Sequence, residues 1–291
     1  MADNRIPFGL VAGWGKFPIV VAESLKRRNY RVVCLGIKGH ADADTLRAIC
    51  DDYHEVGLAK MGAALRYFGR HQVSQATMAG KIFKTLLFHR LTWLKHLPDW
   101  RFLRVFYPHF IGRAKDGRDD TLLTTVVNEF ASEGIHFAPA TDFAPELLMK
   151  FGPLSGGLTA AQKKDVEFGW RIAKELGRVD VGQSVAVKGV SVLAVEAIEG
   201  TDECIRRAGK LCPSGGFTLV KVAKPQQDMR FDVPTIGVGT LQTLLEAGGR
   251  VLAVEAGKTI ILDEPEVIQF AKKHKLTVVA LEPGRELEAV A

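Results

Sequence analysis

None of the four cysteines, Cys34, Cys50, Cys204 and Cys212, stands in a CxxC pair, and their wide spacing argues against both a zinc knuckle and a disulfide framework. Buried, reduced thiols are the expectation. Eight histidines are scattered along the chain, all but His274 in its first half, and none forms HxH, HExxH or HxxxH. A histidine-based metal site is therefore not expected. No window holds 18 consecutive apolar residues, and the opening MADNRIPFG lacks a basic region followed by an apolar stretch. Together these absences predict a cytoplasmic protein. Internal repeats and low-complexity tracts are also missing.

What is present suits an ordinary globular protein. With 291 residues and 47% hydrophobic content, the chain can build one large or two medium cores. Its net charge of +6 points to an anionic partner, whether nucleic acid, nucleotide or anionic membrane surface, and the sign alone does not choose among them.

Ile6 to Ala12 is an apolar run followed by Gly13-Trp14-Gly15, a helical pattern from Phe17 to Arg28 and a second apolar run from Arg31 to Ile37. This reads as strand, turn, helix, strand. Ala76 to Ala79 repeats the apolar pattern before Gly80-Lys81, and Thr121 to Glu133 has helical periodicity. Strands alternating with helices imply a parallel sheet. FGPLSGGLT, residues 151–159, is rich in Gly and Pro and reads as a linker between domains at 1–150 and 160–291. Beyond it the pattern predicts a helix over Ala160 to Leu176 with Gly177 as C-cap, and strands at Val185 to Lys188 and Val192 to Ala197 turning at Gly189. Helices are expected at Thr201 to Lys210, Gly237 to Ala247 and Glu264 to His274, a hairpin at Val251 to Glu255 and Thr259 to Leu262 around Gly257, and a last strand at Leu276 to Leu281. The fold class expected is α/β in two domains, an N-terminal Rossmann-like parallel sheet and a C-terminal mixed α/β domain.

The first glycine pair lies where backbone N–H groups at a helix N-terminus can hold a phosphate, although a tight turn alone would also explain it. A dinucleotide fingerprint fails, because the third glycine position is Pro18 and no acidic residue ends the second strand. From Lys81 to Arg118, nine Lys or Arg residues stand against two acids, with eight aromatics interleaved. That mixture suits an anionic bilayer surface or single-stranded nucleic acid, and a helical flap packed on the core is the plainer alternative.

Leu219 to Thr240, LVKVAKPQQDMRFDVPTIGVGT, concentrates Lys221, Lys224, Asp228, Arg230 and Asp232 between two apolar runs. Lys and Arg neutralise phosphate oxygens, whereas Asp228, Asp232, Glu196 and Asp202 are candidate hard-oxygen ligands for Mg²⁺ or Mn²⁺. Thr201 or Asp202 would also serve as a helix N-cap. Hydrolysis of a phosphoric anhydride needs both kinds of group and a positioned water. A nucleotide-sugar or nucleic-acid binding protein without catalysis is the alternative, opposed by carboxylates that repel phosphate unless a cation intervenes.

Three stretches, LVAGWGKFP, DVGQSVAVKGVSVLAVEAIEGTD and KVAKPQQDMRFDVPTIG, make the chain resemble the UDP-2,3-diacylglucosamine pyrophosphatases of the LpxI type over nearly its whole length. The resemblance implies a two-domain, often dimeric enzyme of lipid A synthesis that requires a divalent cation. It cleaves its UDP-linked acylated glucosamine to UMP and 2,3-diacylglucosamine 1-phosphate. It places the catalytic aspartate of an RxDxPTIG motif at Asp232, as metal ligand or proton acceptor, with Lys221, Lys224 and Arg230 stabilising the diphosphate. Substrate contacts are expected at Gly13, Gly15, Lys81, Asp120, Gln183, Thr201 and Thr235. Gly117-Arg118-Asp119-Asp120 matches the family's Gly-Asp-Asp segment with an extra Arg. No nucleic acid partner is expected, whereas the inner membrane surface is.

Overall fold

The computed structural model describes residues 4–82, 97–111, 119–230 and 232–285, and gives two compact units, Met1–Pro145 with Asp228–Asp232 and Glu146–Gln227 with Val233–Ala291. In the first, β1 (Pro7–Ala12), α1 (Phe17–Arg27), β2 (Arg31–Ile37), α2 (Ala43–Ile49), β3 (Asp52–Val56), α3 (Met61–Arg70) and β4 (Gln75–Ala79) alternate regularly. After them come α4 (Trp100–Ile111), α5 (Asp119–Ser132) and β5 (His136–Phe137). The strands form one wholly parallel sheet in the order β3-β2-β1-β4-β5. The near-continuous apolar character of β1 and β2 follows from burial on both faces. Val32 and Cys34 point to the side of Phe8, Val21 and Leu46, while Val33, Leu35 and Ile37 point to that of Leu65, Phe106 and Phe130. All four cysteines are free and buried.

In the second unit the elements run β6 (Gly152–Ser155), α6 (Ala160–Arg178), β7 (Ser184–Lys188), β8 (Ser191–Val195), α7 (Thr201–Leu211) and β9 (Thr218–Lys221). They continue with β10 (Thr235–Ile236), α8 (Val238–Glu246), β11 (Val251–Glu255), β12 (Ile260–Ile261), α9 (Glu264–Lys273) and β13 (Thr277–Leu281). The main sheet is mixed, ordered β6-β13-β11-β9-β7-β8, with β9, β11 and β13 parallel and the outer strands antiparallel. One face packs on α7, α8 and α9 through Leu219, Leu252, Ile205, Leu241 and Val267; the other meets α6 through Val220, Ala253, Val166 and Ala173. The β7–β8 hairpin turns as expected at Gly189, and Asp165 of α6 accepts the Gly189 and Val190 N–H groups at 3.1 and 2.6 Å.

Four expectations need correction. Residues 151–159 are not purely connecting: Gly152–Ser155 adds an edge strand to the sheet, pairing with β13, because short apolar strands survive Gly and Pro at an edge. The hairpin around Gly257 does not form, since β11 is fully buried between β9 and β13 while β12 pairs in parallel with β10. Gly177 lies inside α6, whose C-cap is Val179; a β-carbon there would come within 3.1 Å of the Lys224 Cα, so the glycine answers close packing. Gly200, not Thr201 or Asp202, is the N-cap of α7.

Among the described residues no helix is long and apolar enough to cross a membrane. Much of the basic and aromatic stretch, residues 83–96 and 112–118, lies outside the described residues. Its central part is α4, which buries Phe106 against the core while Trp100, Leu103, Arg104 and Tyr107 are exposed. Arg101 is already committed, pairing with Glu129 at 2.6 Å and also with Glu133.

Candidate active site

In an open parallel sheet, ligands collect outside the carboxyl ends of strands where the winding reverses, which here is between β1 and β4. Gly13 follows β1 and Lys81 follows β4, and the two loops are tied together. Gly13 N–H donates to the Ala79 carbonyl at 2.8 Å, Trp14 N–H to the Lys81 carbonyl at 2.8 Å, and Lys81 N–H to the Trp14 carbonyl at 3.0 Å. A β-carbon on residue 13 would sit 2.7 Å from the Lys81 carbonyl oxygen, so the close approach of the loops selects glycine. Gly15 adopts φ +101° immediately before α1, in the left-handed region. Three residues distant in sequence, Gly13, Gly15 and Lys81, thus gather at one sheet end. Asp120 lies in the first turn of α5, and its side chain is outside the described residues.

In the second unit, strand register assembles a buried polar row. Lys221 of β9 lies opposite Ser184 of β7, whose carbonyl accepts the Glu196 N–H at 2.8 Å. Residues directly opposite in neighbouring strands share a face. Lys221 Nζ donates to Thr201 Oγ1 at 2.7 Å, and that hydroxyl donates to Glu196 Oε1 at 2.9 Å. Lys221 and Glu196 are 6% and 8% exposed, so the Thr201 hydroxyl links the two charges in a largely dry setting. Glu196 Oε2, Ser184 Oγ and Gln183 Oε1 are buried with no hydrogen-bond partner among the described residues. Burial pushes the nearby Cys204 thiol up to about 12, and the Glu196 charge adds to it, which removes that cysteine as a nucleophile near neutral pH.

Lys224 is also held by a carboxylate, donating to Asp180 Oδ1 at 2.6 Å. Arg230 grips Asp228 through Nε to Oδ1 at 2.9 Å and Nη2 to Oδ2 at 2.5 Å. This guanidinium, together with the Arg230 N–H, holds the Asp228 carboxyl below the usual carboxylate range and keeps it ionised. Asp232 follows on the same turn, its N–H donating to the Asp228 carbonyl at 3.0 Å. Beyond it, Thr235 opens β10 and donates its hydroxyl to the Val233 carbonyl at 3.0 Å. Asp228 to Asp232 belongs to the first unit, whereas Lys221, Lys224 and Thr235 belong to the second.

Three of the four carboxylates expected as metal ligands have a cation or a helix N-terminus beside them. Glu196 and Asp228 serve as counter-ions to Lys221 and Arg230, and Asp202 is an exposed acid in the first turn of α7, where the helix dipole favours it. Among the described residues, no group of three or more His, Cys, Asp or Glu side chains could hold a metal ion. Such a group is what an ion held by protein side chains alone would need, whereas a Mg²⁺ bound together with a diphosphate is commonly held by one or two carboxylates plus substrate phosphates. Asp180 was not singled out from the sequence; its place in the DVGQS stretch, next to Gln183, was the signal that could have found it.

Comparison with known proteins covers both units. Models for the LpxI N-terminal domain and the LpxI C-terminal domain match residues 7–147 and 152–279. A protein of Caulobacter vibrioides named UDP-2,3-diacylglucosamine pyrophosphatase LpxI is 31% identical over 283 residues, covering 94% of this chain and 97% of that one. Among solved structures, a biotin carboxylase-beta-gamma-ATP complex from Campylobacter jejuni aligns with 71% of this chain and 42% of its own, at 13% identity and a TM-score of 0.24, too slight a likeness to carry any argument. With both domain models matched and a relative aligned nearly end to end, the chain belongs to the LpxI family.

Proposed function

We propose that this protein hydrolyses the diphosphate of UDP-2,3-diacylglucosamine to UMP and 2,3-diacylglucosamine 1-phosphate, a step of lipid A biosynthesis. The observation that carries the reading is the near full-length match to a relative bearing that activity in its name, in a chain whose Lys224 and Arg230 are held by carboxylates and whose Lys221 is linked to Glu196 through the Thr201 hydroxyl. Cations pinned in advance need no reorganisation when charge develops on the diphosphate. In the reaction, water's oxygen bonds to one phosphorus and the bridging P–O bond breaks. Its electrons pass to the departing phosphate, and Asp232 takes the water's proton or holds Mg²⁺. Asp228 suits the proton-accepting role less, because the Arg230 guanidinium lowers its proton affinity and engages both its oxygens. A divalent cation would supply further neutralisation at the diphosphate oxygens. Gly13, Gly15, Lys81, Asp120, Gln183, Thr201 and Thr235 remain the proposed substrate contacts.

Release of UMP from purified substrate should require Mg²⁺ or Mn²⁺, stop on chelation and return with excess metal. Turnover unchanged by chelation would remove the metal from this account and leave the hydrolase reading standing. Absence of UMP release under all these conditions would favour a nucleotide-sugar binding protein instead.

The same reading places the protein at the cytoplasmic surface of the inner membrane, as a homodimer, with α4 facing lipid. Trp100, Leu103, Arg104 and Tyr107 are spaced to share one helix face. Cosedimentation with anionic vesicles should weaken with salt and fall about fivefold on Arg104→Gln, since one basic residue near such a surface contributes about 1 kcal/mol, and further on Arg104→Glu. Charge reversal at Arg101 would be a poor test, because it breaks the pairs with Glu129 and Glu133. Vesicle binding indifferent to both salt and Arg104 would return this face to packing within the protein, and sedimentation equilibrium checks the dimer.

A further inference from the structure

Between Lys221 and Lys224 the chain is gripped at one peptide by two residues that the sequence reading passed over. Ala223 N–H donates to Glu255 Oε2 at 2.9 Å, and the Ala223 carbonyl accepts from Lys174 Nζ at 2.8 Å. Lys174 Nζ closes the triangle, donating to the same Glu255 oxygen at 2.5 Å. Glu255 ends β11 and is fully buried; Lys174 rises from α6 with its ammonium 5.7 Å from the centre of the Trp170 ring. Lys258 Nζ lies 3.2 Å from the other Glu255 oxygen, as an ion pair without hydrogen-bond geometry.

Further contacts brace the same segment. Val222 N–H donates to the Gln183 carbonyl at 3.0 Å, and Gln226 Nε2 donates to the Gly177 carbonyl at 3.0 Å. Gly177 packs against Lys224 itself, and Asp180 just beyond α6 holds the Lys224 ammonium. Lys174, Gly177 and Asp180 therefore meet this segment at three-residue intervals.

A buried ion pair is a weak means of stabilising a fold, since well-packed apolar residues of similar volume often serve as well or better. What apolar residues could not do is satisfy both the N–H and the C=O of one buried peptide while fixing its orientation. We propose that Lys174 and Glu255 are positioning residues for the reaction, clamping the Ala223 peptide so that Lys221 and Lys224 are presented to the diphosphate in register. This rests on the reading that those two lysines meet the substrate.

The test is a mutant cycle in the full-length protein. Lys174→Met with Glu255→Gln removes the ion pair but retains an amide oxygen for the Ala223 N–H. It should lower kcat for UMP release by up to about 10²-fold, the cost of a displacement of about 1 Å at a distance from the chemistry. In a Lys224→Met background, the same pair change should cost far less in kcat, because one of the groups it positions is already gone. The shift in thermal midpoint should be similar in both backgrounds. Equal kcat losses in the two backgrounds, or no loss in either, would overturn the proposal. Should the pair variant fail to fold, Lys174→Arg, which keeps the charge but changes the donor geometry, is put through the same cycle and judged by the same outcomes.

Amide exchange at Ala223 needs no substrate and separates this proposal from the reaction itself. Wild-type protein without UMP release would defeat the functional reading alone. Ala223 exchange no faster in the pair variant, or in Lys174→Arg where that is used, would defeat the clamp alone.

Discussion

Asp232→Ala is expected to lower kcat for UMP release about 10²- to 10⁴-fold, the range associated with loss of a positioned acid–base group. KM should change by no more than a few-fold, because the three cations that would hold the diphosphate are fixed by other carboxylates: Glu196 through Thr201, Asp180, and Asp228. The turn should survive, since it is the Asp232 backbone N–H that bonds to the Asp228 carbonyl. The form of the loss also distinguishes two roles. If Asp232 holds Mg²⁺, excess metal should recover part of the rate; if it accepts the proton, metal should recover none, and the rate should rise with pH as hydroxide substitutes for the base. Near-normal turnover in the variant would remove Asp232 from the chemistry.

Gly182→Ala should be among the most damaging single methyl additions in the chain. A β-carbon there would lie 2.0 Å from the Glu196 carbonyl oxygen and 2.7 Å from its carbon, and neither is a flexible side-chain end that could swing aside. Backbone must move. Overpacking typically costs about 1–3 kcal/mol and occasionally more, and a clash with main chain belongs at the top of that range or above it. A loss of about 3 kcal/mol in stability is therefore expected, measured by denaturant unfolding. Residue 182 lies between Asp180, which holds Lys224, and Gln183, whose carbonyl anchors Val222. Activity should accordingly fall even at temperatures where the variant remains folded. Wild-type stability in Gly182→Ala would mean that the β7 and β8 ends are not as close as described.

The legible parts of this fold were those written in local pattern. Continuous apolar runs at β1 and β2 with a helical pattern between them are the direct consequence of a sheet covered on both faces, and they announce a parallel unit. Helix α6 was equally plain, although its last turn was not, because Gly177 packs against Lys224 from within the helix and no local rule separates that from a C-cap. That glycine answers a contact 47 residues away in sequence. The pairing of β12 with β10 instead of β11 is likewise a long-range choice that two short apolar runs around Gly257 do not encode.

At the site, residue types were readable and their partnerships were not. Carboxylates close to lysines and arginines can be metal ligands or counter-ions, and composition is the same in both cases. Strand register sets the neighbours of Glu196, which shares a row with Ser184 and Lys221; a local turn sets those of Asp228. The gathering of Gly13 and Lys81 at one sheet end needed the β1–β4 adjacency, which only the strand order supplies.

The central claim is that this chain cleaves a UDP-linked diacylglucosamine at its diphosphate. Incubating the purified full-length protein with that substrate and Mg²⁺, and quantifying the products, tests it most directly. UMP and the acylated sugar 1-phosphate should appear in equal amounts as substrate disappears. Intact substrate after prolonged incubation, or UDP released with a free acylated sugar, would contradict it.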